Sequence, residues 1–527
     1  MSFPLGTASY PRWNQNYIPT AREFQSWFSR KADNDATNEE ITSLSQQVSG
    51  LKERVDELPT IKDYGAVGDG TTDDTAAFNA VIAAQARVYV PAGNYKITAT
   101  TVAQNWQYFD GPGIMVINGW TLPASRFVSS YINLPVPALF PTIQSAMDWF
   151  NSRVGFSSNA FVSIDLADGT YPISEITIRS PWARFFLQIY GNPSAPGNVQ
   201  INADMTNNQN AFSVRAGSGL SFINGLTITG VGAWKSHGVW NDQCFGTGIL
   251  ADDGSYVSIG ANVVISKCYY GVRANYGSTV LCASGVTVSE AGDVGFHAFG
   301  GSTLIANSCT ASLCSDVTDT SVATLGTGFM AEGSSFMDVS GSTSFSNAIS
   351  GFTTQNASGA WAHGCIAYSN GSHGFQSNNS SSMECSPLGT TLSQSHDNTG
   401  DGYHSENASF MNVNSAVSTS NTGDGFFSGG RSHMDITAAK AVSNTADGFT
   451  SYRGSTMLGN GAVATSNGQY GFQANMNSLI QGDNLSAGYS KVAGFYAITL
   501  SVVNLGTGWC GVSNPVFDFP ETSTFDS

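Results

Sequence analysis

Residues 421–449 read Asn421-Thr-Gly-Asp424-Gly425-Phe426-Phe-Ser-Gly-Gly-Arg-Ser432-His-Met434-Asp-Ile436-Thr-Ala-Ala-Lys-Ala-Val-Ser-Asn444-Thr-Ala446-Asp447-Gly448-Phe449, and the last six residues restate the first six with Ala446 in place of Gly423. The same frame extends in both directions. A glycine followed by a hydrophobic residue stands at Gly248, Gly271, Gly295, Gly328, Gly351, Gly374, Gly402, Gly425, Gly448, Gly471 and Gly494. Seven positions after each lies a serine, from Ser255 to Ser501. Two further on comes an apolar residue, from Val257 through Met411 and Met434 to Val503. Four before the glycine, six repeats carry asparagine: Asn347, Asn370, Asn398, Asn421, Asn444 and Asn467. Most intervals are 23 residues, with one each of 24, 33 and 28.

A fixed period of this size marks a solenoid. Each repeat is rich in Ser, Thr, Gly and Asn, and its apolar residues alternate, as in Met411-Asn-Val413 and Met434-Asp-Ile436. That alternation belongs to a short strand with one buried face, and no repeat holds the longer amphipathic run of a helix. Strands stacked coil on coil lie about 4.8 Å apart, so like side chains form columns. The spacing predicts an all-β fold: a single-stranded parallel β-helix of at least eleven coils. Phe and Met columns fill its interior, and stacked asparagines bond along one turn.

Ahead of the repeats, residues 1–22 are rich in proline and aromatic residues and form an extended arm. Ile41, Leu44, Val48, Leu51, Val55 and Leu58 then fall at alternating spacings of three and four, ending at Pro59. This a/d seam predicts an α-helical coiled coil. Ile or Val at a with Leu at d leans towards two strands, so the seam alone says oligomer and not trimer. Next come Ile61-Lys-Asp-Tyr-Gly-Ala-Val-Gly-Asp69-Gly-Thr-Thr-Asp73-Asp74-Thr, then Phe78, Val81 and Ile82, then Arg87-Val-Tyr-Val-Pro91-Ala-Gly-Asn-Tyr95. Asp73 or Asp74 is placed to N-cap a helix burying Phe78, Val81 and Ile82. A second opening follows in Phe140-Pro-Thr-Ile-Gln-Ser-Ala-Met147, Val162–Tyr171 and Ile176-Thr-Ile178.

Both openings resemble those of pectate-lyase-like right-handed β-helices as found in bacteriophage tailspikes. The order of arm, coiled coil, small module, second opening and coils is similar to a tailspike along essentially the whole chain. The resemblance implies a right-handed helix and a homotrimer attached through its N-terminus to a phage tail or baseplate protein. Such a protein is assembled in the host cytoplasm, is carried on the virion, and binds or cuts bacterial surface polysaccharide. On this reading residues 1–59 are the attachment arm and coiled coil, 60–125 a small capping domain, 126–505 the β-helix and 506–527 a C-terminal cap. The family's catalytic carboxylates are not carried by a transferable motif, so none is mapped from it.

A net charge of −17 argues against nucleic-acid partners and anionic membranes. With only 11% charged residues, the surface suits neutral or sparsely charged carbohydrate. The eight cysteines form no zinc-type pair; Cys282 and Cys385 fall at inward positions, and all are read as small buried thiols, in keeping with a reducing compartment. The N-terminus lacks the features of a signal sequence, and no apolar run reaches transmembrane length. The histidines show no metal spacing, and neither a metal nor a cofactor is called for.

Interruptions of the period point to chemistry. The interval from Gly295 to Gly328 carries ten extra residues, placed within Cys309–Ala323. That from Gly374 to Gly402 carries five, placed within Cys385–Ser395. Taken as loops leaving one side after the serine-bearing strand, they would wall a cleft about 15 Å wide. Three positions beyond each serine, alternation points outward, and that column reads Ile305, Asp338, Trp361, Glu384, Asn412, Asp435, Leu458 and Gln481. Asp338 and Glu384 are then the expected catalytic pair, two coils or about 9.6 Å apart. Inverting glycosidases hold their carboxyls roughly 6.5–9.5 Å apart. Trp361 offers a sugar a stacking face, and His363, Asp316 and Asp319 are further substrate-binding candidates. Asp401, Asp424 and Asp447 stack on successive coils, where repulsion raises some of their pKa values; their Asn-x-x-Asp-Gly turns give them a structural role. The expected activity is hydrolysis of the polysaccharide. A non-catalytic adsorption fibre is one alternative, and a polysaccharide lyase, with a base and a charge neutraliser at a uronate, is another. A free secreted pectinase-like enzyme is disfavoured by the missing signal sequence and the heptad seam.

Overall fold

The computed structural model describes residues 45–46, 59–206, 209–231, 246–315 and 325–505, and the backbone of 509–510. One coil shows why the repeat folds as it does. Phe426–Ser428, His433–Asp435 and Lys440–Val442 are three short strands joined by tight corners. Each pairs in parallel with its counterparts one coil earlier and one coil later. Phe426 lies between Tyr403 and Phe449, Met434 between Met411 and Met457, and Ala441 between Ser418 and Ala464. Repetition builds three long parallel sheets of 13, 15 and 14 strands. They are called here the Phe, Met and Ala sheets after the residues they turn inward. The all-β solenoid expected from the spacing is present.

The columns are physical contacts. Nine rings, Phe296, Phe329, Phe352, Phe375, Tyr403, Phe426, Phe449, Phe472 and Phe495, stack 4.7–5.1 Å apart inside the Phe sheet. The preceding glycine is required by close approach: a Cβ on Gly425 would meet the Gly448 carbonyl oxygen at 2.6 Å. Most repeat serines accept the backbone N–H of the serine one coil earlier, as Ser455 Oγ does from Ser432 at 3.1 Å; Ser478 Oγ takes the Gly454 N–H instead. The asparagines form the expected ladder, each Nδ2 donating to the next Oδ1 from Asn347 to Asn467 at 2.8–3.1 Å. All six cysteines among the described residues are buried.

At the N-terminal end, a four-stranded sheet and the helix Thr75–Ala84 pack Phe78 against Tyr95 and Phe109. Asp74 holds the N-cap position, but its carboxylate accepts from the Val67 and Gly68 N–H groups rather than from the helix. Ile82 is half-buried, not part of the core with Phe78 and Val81. A second helix, Ile143–Asn151, is capped by Thr142 Oγ1 and lays Ile143, Ala146, Met147, Trp149 and Phe150 against the first coils. The heptad seam lies outside the described residues except for Ser45–Gln46, which are helical, and so does the side-chain structure of 506–527.

Candidate functional site

The outward column on the Met sheet has the expected register. Asp338 pairs with Ile305 before it and Trp361 after it, Trp361 with Glu384, and Glu384 with Asn412. Trp361 is 49% exposed and stands edge to face with Phe336 at 5.0 Å, leaving its other surface open. Asp338 and Glu384 flank it, both half-buried. The two carboxylates differ in what holds them. Asp338 Oδ1 accepts from the Ser340 N–H and hydroxyl, and Oδ2 from Asn307 at 3.3 Å. Three and four coils further on, Asn412 and Asp435 make the same turn to the residue two ahead. Asp338 therefore also shapes the corner that leaves the Met sheet. Glu384 has no side-chain hydrogen bond among the described residues, so its carboxylate is free to turn towards a ligand.

The two insertions do not follow the same strand of their coils. The first insertion follows the Ala-sheet strand Thr310–Ser312 and precedes the Phe-sheet strand Thr327–Glu332. The second lies between the Met-sheet strand Ser382–Glu384 and the Ala-sheet strand Gln394–His396. They leave at different corners, because the first comes one strand later in its coil. Asp316 and Asp319 lie outside the described residues. The second insertion does border the column. Leu388 and Thr391 bridge each other, and Leu388 covers the corner where Cβ atoms on Gly341 and Gly364 would meet it at 3.4 and 2.7 Å. His363 ties the floor to this loop through Nδ1 and the Ser386 hydroxyl, 2.8 Å apart. Among the described residues the column thus has one wall. Further along the same face it opens into a groove of about 630 Å³ lined by His433, Asp435, Leu458, Gln481 and Asp483.

A second cluster escaped the sequence reading. His373 and His404 stack at 4.1 Å beside Asp401, whose Oδ2 lies 2.8 Å from His404 Nδ1. His404 Nε2 in turn lies 3.5 Å from Glu406 Oε2. His373 Nδ1 accepts the Asp401 N–H, so in the neutral ring the proton sits on Nε2; burial pushes this imidazole down to about 4. Burial works to raise Asp401, but the His404 hydrogen bond and attraction to both imidazoles hold it below the usual range. Asp424 is driven well above that range by burial and by repulsion from Asp401 and Asp447, while burial raises Asp447 to about 6. The predicted repulsion is therefore present. Each Oδ1 also accepts the N–H one coil on: Asp401 from Asp424, Asp424 from Asp447, and Asp447 from Tyr470. The donor atoms of His373, Asp401 and His404 lie within 4.8 Å of one another. His373 Nδ1 already takes a backbone N–H, and His404 Nδ1 is engaged with the Asp401 carboxylate. The same three side chains lie close enough together to hold a metal ion.

These features define a parallel β-helix with a pectate-lyase-like opening and an exterior of aromatic and carboxylate columns. Residues 60–108 match the family model described as rhamnogalacturonase A/epimerase, pectate lyase-like, and residues 210–392 match that of the right-handed β-helix region. The mannuronan C5-epimerase AlgE5 of Azotobacter vinelandii is 27% identical over 250 residues, 41% of this chain and 23% of that protein. AlgE3 of the same organism is 38% identical over 88 residues, 13% of this chain and 5% of that protein. The matches thus span less than a quarter of these relatives' length. Among solved structures, the periplasmic alginate epimerase AlgG is 12% identical, with 73% of this chain and 85% of that chain covered and a TM-score of 0.40.

Proposed function

We propose that this protein binds a polysaccharide along the outer Met sheet and cleaves it there, as the homotrimeric tailspike of a bacteriophage. One observation carries the reading: the outward column sets an exposed tryptophan between two carboxylates on consecutive coils, and continues into an open groove. Trp361 supplies a face for a sugar ring. Glu384, free of hydrogen bonds, acts as general acid on the leaving oxygen, and Asp338, fixed by Ser340 and Asn307, orients the attacking water. The AlgE relatives, named for action on mannuronan, support a polysaccharide as the partner. The arm, heptad seam, small module and coils support the tailspike setting, with attachment to a phage tail or baseplate through the N-terminus. A binding-only adsorption fibre is the second reading, favoured by the turn in which Asp338 is engaged and by the single wall.

Purified protein incubated with surface polysaccharides from a panel of bacteria, reading reducing ends and ultraviolet absorbance together, tests this. Reducing ends without absorbance identify a hydrolase, and Glu384→Gln then lowers turnover at least 100-fold. Full activity in that variant rules out the site. Saturable binding without product establishes the fibre.

A further inference from the structure

The small module and the second helix meet in a cleft. One side is the short turn Trp106–Tyr108 with Gln104 just before it, and the other is the helix Ile143–Asn151. Between them lies a cavity of about 480 Å³, lined chiefly by Gln104, Trp106, Gln107, Ser145, Asp148 and Asn151. That volume is in the range of small-ligand sites. Trp106 is half-buried and rests on a fixed support. Arg153, only 4% exposed, lays its guanidinium over the Trp106 ring at 5.7 Å and the Trp149 ring at 4.2 Å. The same guanidinium donates to the carbonyls of Ser125 and Trp149 and to the Ser152 hydroxyl. The amides of Gln104, Gln107 and Asn151, by contrast, have no side-chain hydrogen bond among the described residues. Asp148 Oδ1 accepts from Gln144 Nε2 at 2.7 Å, while its Oδ2 has no partner there.

This set of groups suits hydroxyls. An indole covers the apolar face of a sugar ring, and each unpaired amide or carboxylate can meet two adjacent hydroxyls. Asp148 is the charged side chain in the lining, and it repels an anion. We propose that this cleft is a second glycan site, which takes a neutral sugar residue on Trp106 and holds its hydroxyls through Gln104, Gln107, Asn151 and Asp148. The inference rests on the reading of this chain as a polysaccharide binder, but places the contact on the small module and not on the outer columns of the coils. The helix that walls the cleft follows the Met-sheet strand Tyr131–Val136, and the strand of Trp361 is the eighth after it, about 38 Å further along the axis. A polymer long enough to touch both sites is held twice, and release requires both contacts to open.

Calorimetric titration of the full-length protein carrying Trp361→Ala tests the proposal, with neutral hexasaccharides of glucose, mannose and galactose and with hexagalacturonate as probes. At least one neutral hexasaccharide binds saturably, one per chain, and hexagalacturonate does not compete. Adding Trp106→Ala weakens that binding at least tenfold. If this variant fails to fold, Gln107→Ala with Asn151→Ala serves instead, Gln107 being half-buried and Asn151 exposed, and the loss is again at least tenfold. Binding of no neutral hexasaccharide, or binding unchanged by these substitutions, overturns the proposal. A protein that binds glycan through Trp361 alone keeps the earlier reading and removes this one. A hexasaccharide held at Trp106 by a protein that releases no reducing ends from any surface polysaccharide keeps this site and removes the cleavage.

Discussion

The coils before residue 315 and those after residue 343 fill the same cross-section in different ways. In the earlier coils the Ala sheet turns Ile228, Ile265 and Val288 inward; in the later ones it turns in Ser344, Ala367, Ser395, Ser418 and Ala441, all buried. Two residues past each Ala-sheet strand, the later coils carry the asparagine ladder, where the earlier coils carry Cys268, Ala291 and Cys314. One half is held by apolar volume, the other by a thinner core plus a continuous line of amide bonds. Buried polar groups cost little when every partner is present, which a ladder guarantees at each coil but its ends. The lesson is that stacking converts a polar residue into core material.

Substitutions can break that contrast. Phe426→Ala, which opens the ring stack of the later coils, should cost about 4 kcal/mol, read from guanidinium unfolding midpoints. Asn421→Ala should cost about 3 kcal/mol, because it strands the Asn398 N–H and amide donors. Cys314→Ala, in the same column but the apolar half, should cost about 1 kcal/mol. Near-equal losses for Asn421 and Cys314 would dissolve the distinction. Acid should sharpen it. Asp447 is raised to about 6 in the folded chain, so the stability tied to its protonated form is complete below about 4 and is lost as pH rises through 6. The contribution of Asp447 should therefore increase from pH 7 to pH 5, against the loss from His373, whose imidazole burial pushes down to about 4, and Asp447→Asn should remove about 1 kcal/mol of that gain. An Asp447→Asn variant whose stability changes between the two values by the same amount as the wild type's would contradict the buried-aspartate column.

The later coils were legible because each contact joins identical positions: Phe meets Phe, Asn meets Asn, so the period in the chain is the packing itself. The register of Asp338, Trp361 and Glu384 followed from alternation alone. The walls did not, since the corner from which an insertion departs depends on strand ends that glycine spacing does not mark; Ser312 closes a further strand before the loop begins. His373 and Asp401 both immediately precede their glycines, but the 28-residue interval between them hid their adjacency. Trp106, Gln107 and Asn151 precede the repeats, and pattern reading passes over what occurs once.

The regular coils also make length an adjustable quantity. Every junction from Asn398 to Asn467 presents the same amide and an aromatic ring to its neighbour, so either side of any junction fits a copy of the other. A duplicated 23-residue unit would extend the body by one strand spacing, about 4.8 Å, and ask no new fit of its surroundings. The distance between the two ends of the molecule is thereby a matter of gene length, set in equal steps like the marks on a ruler, while the irregular coils that carry singular residues stay where they are.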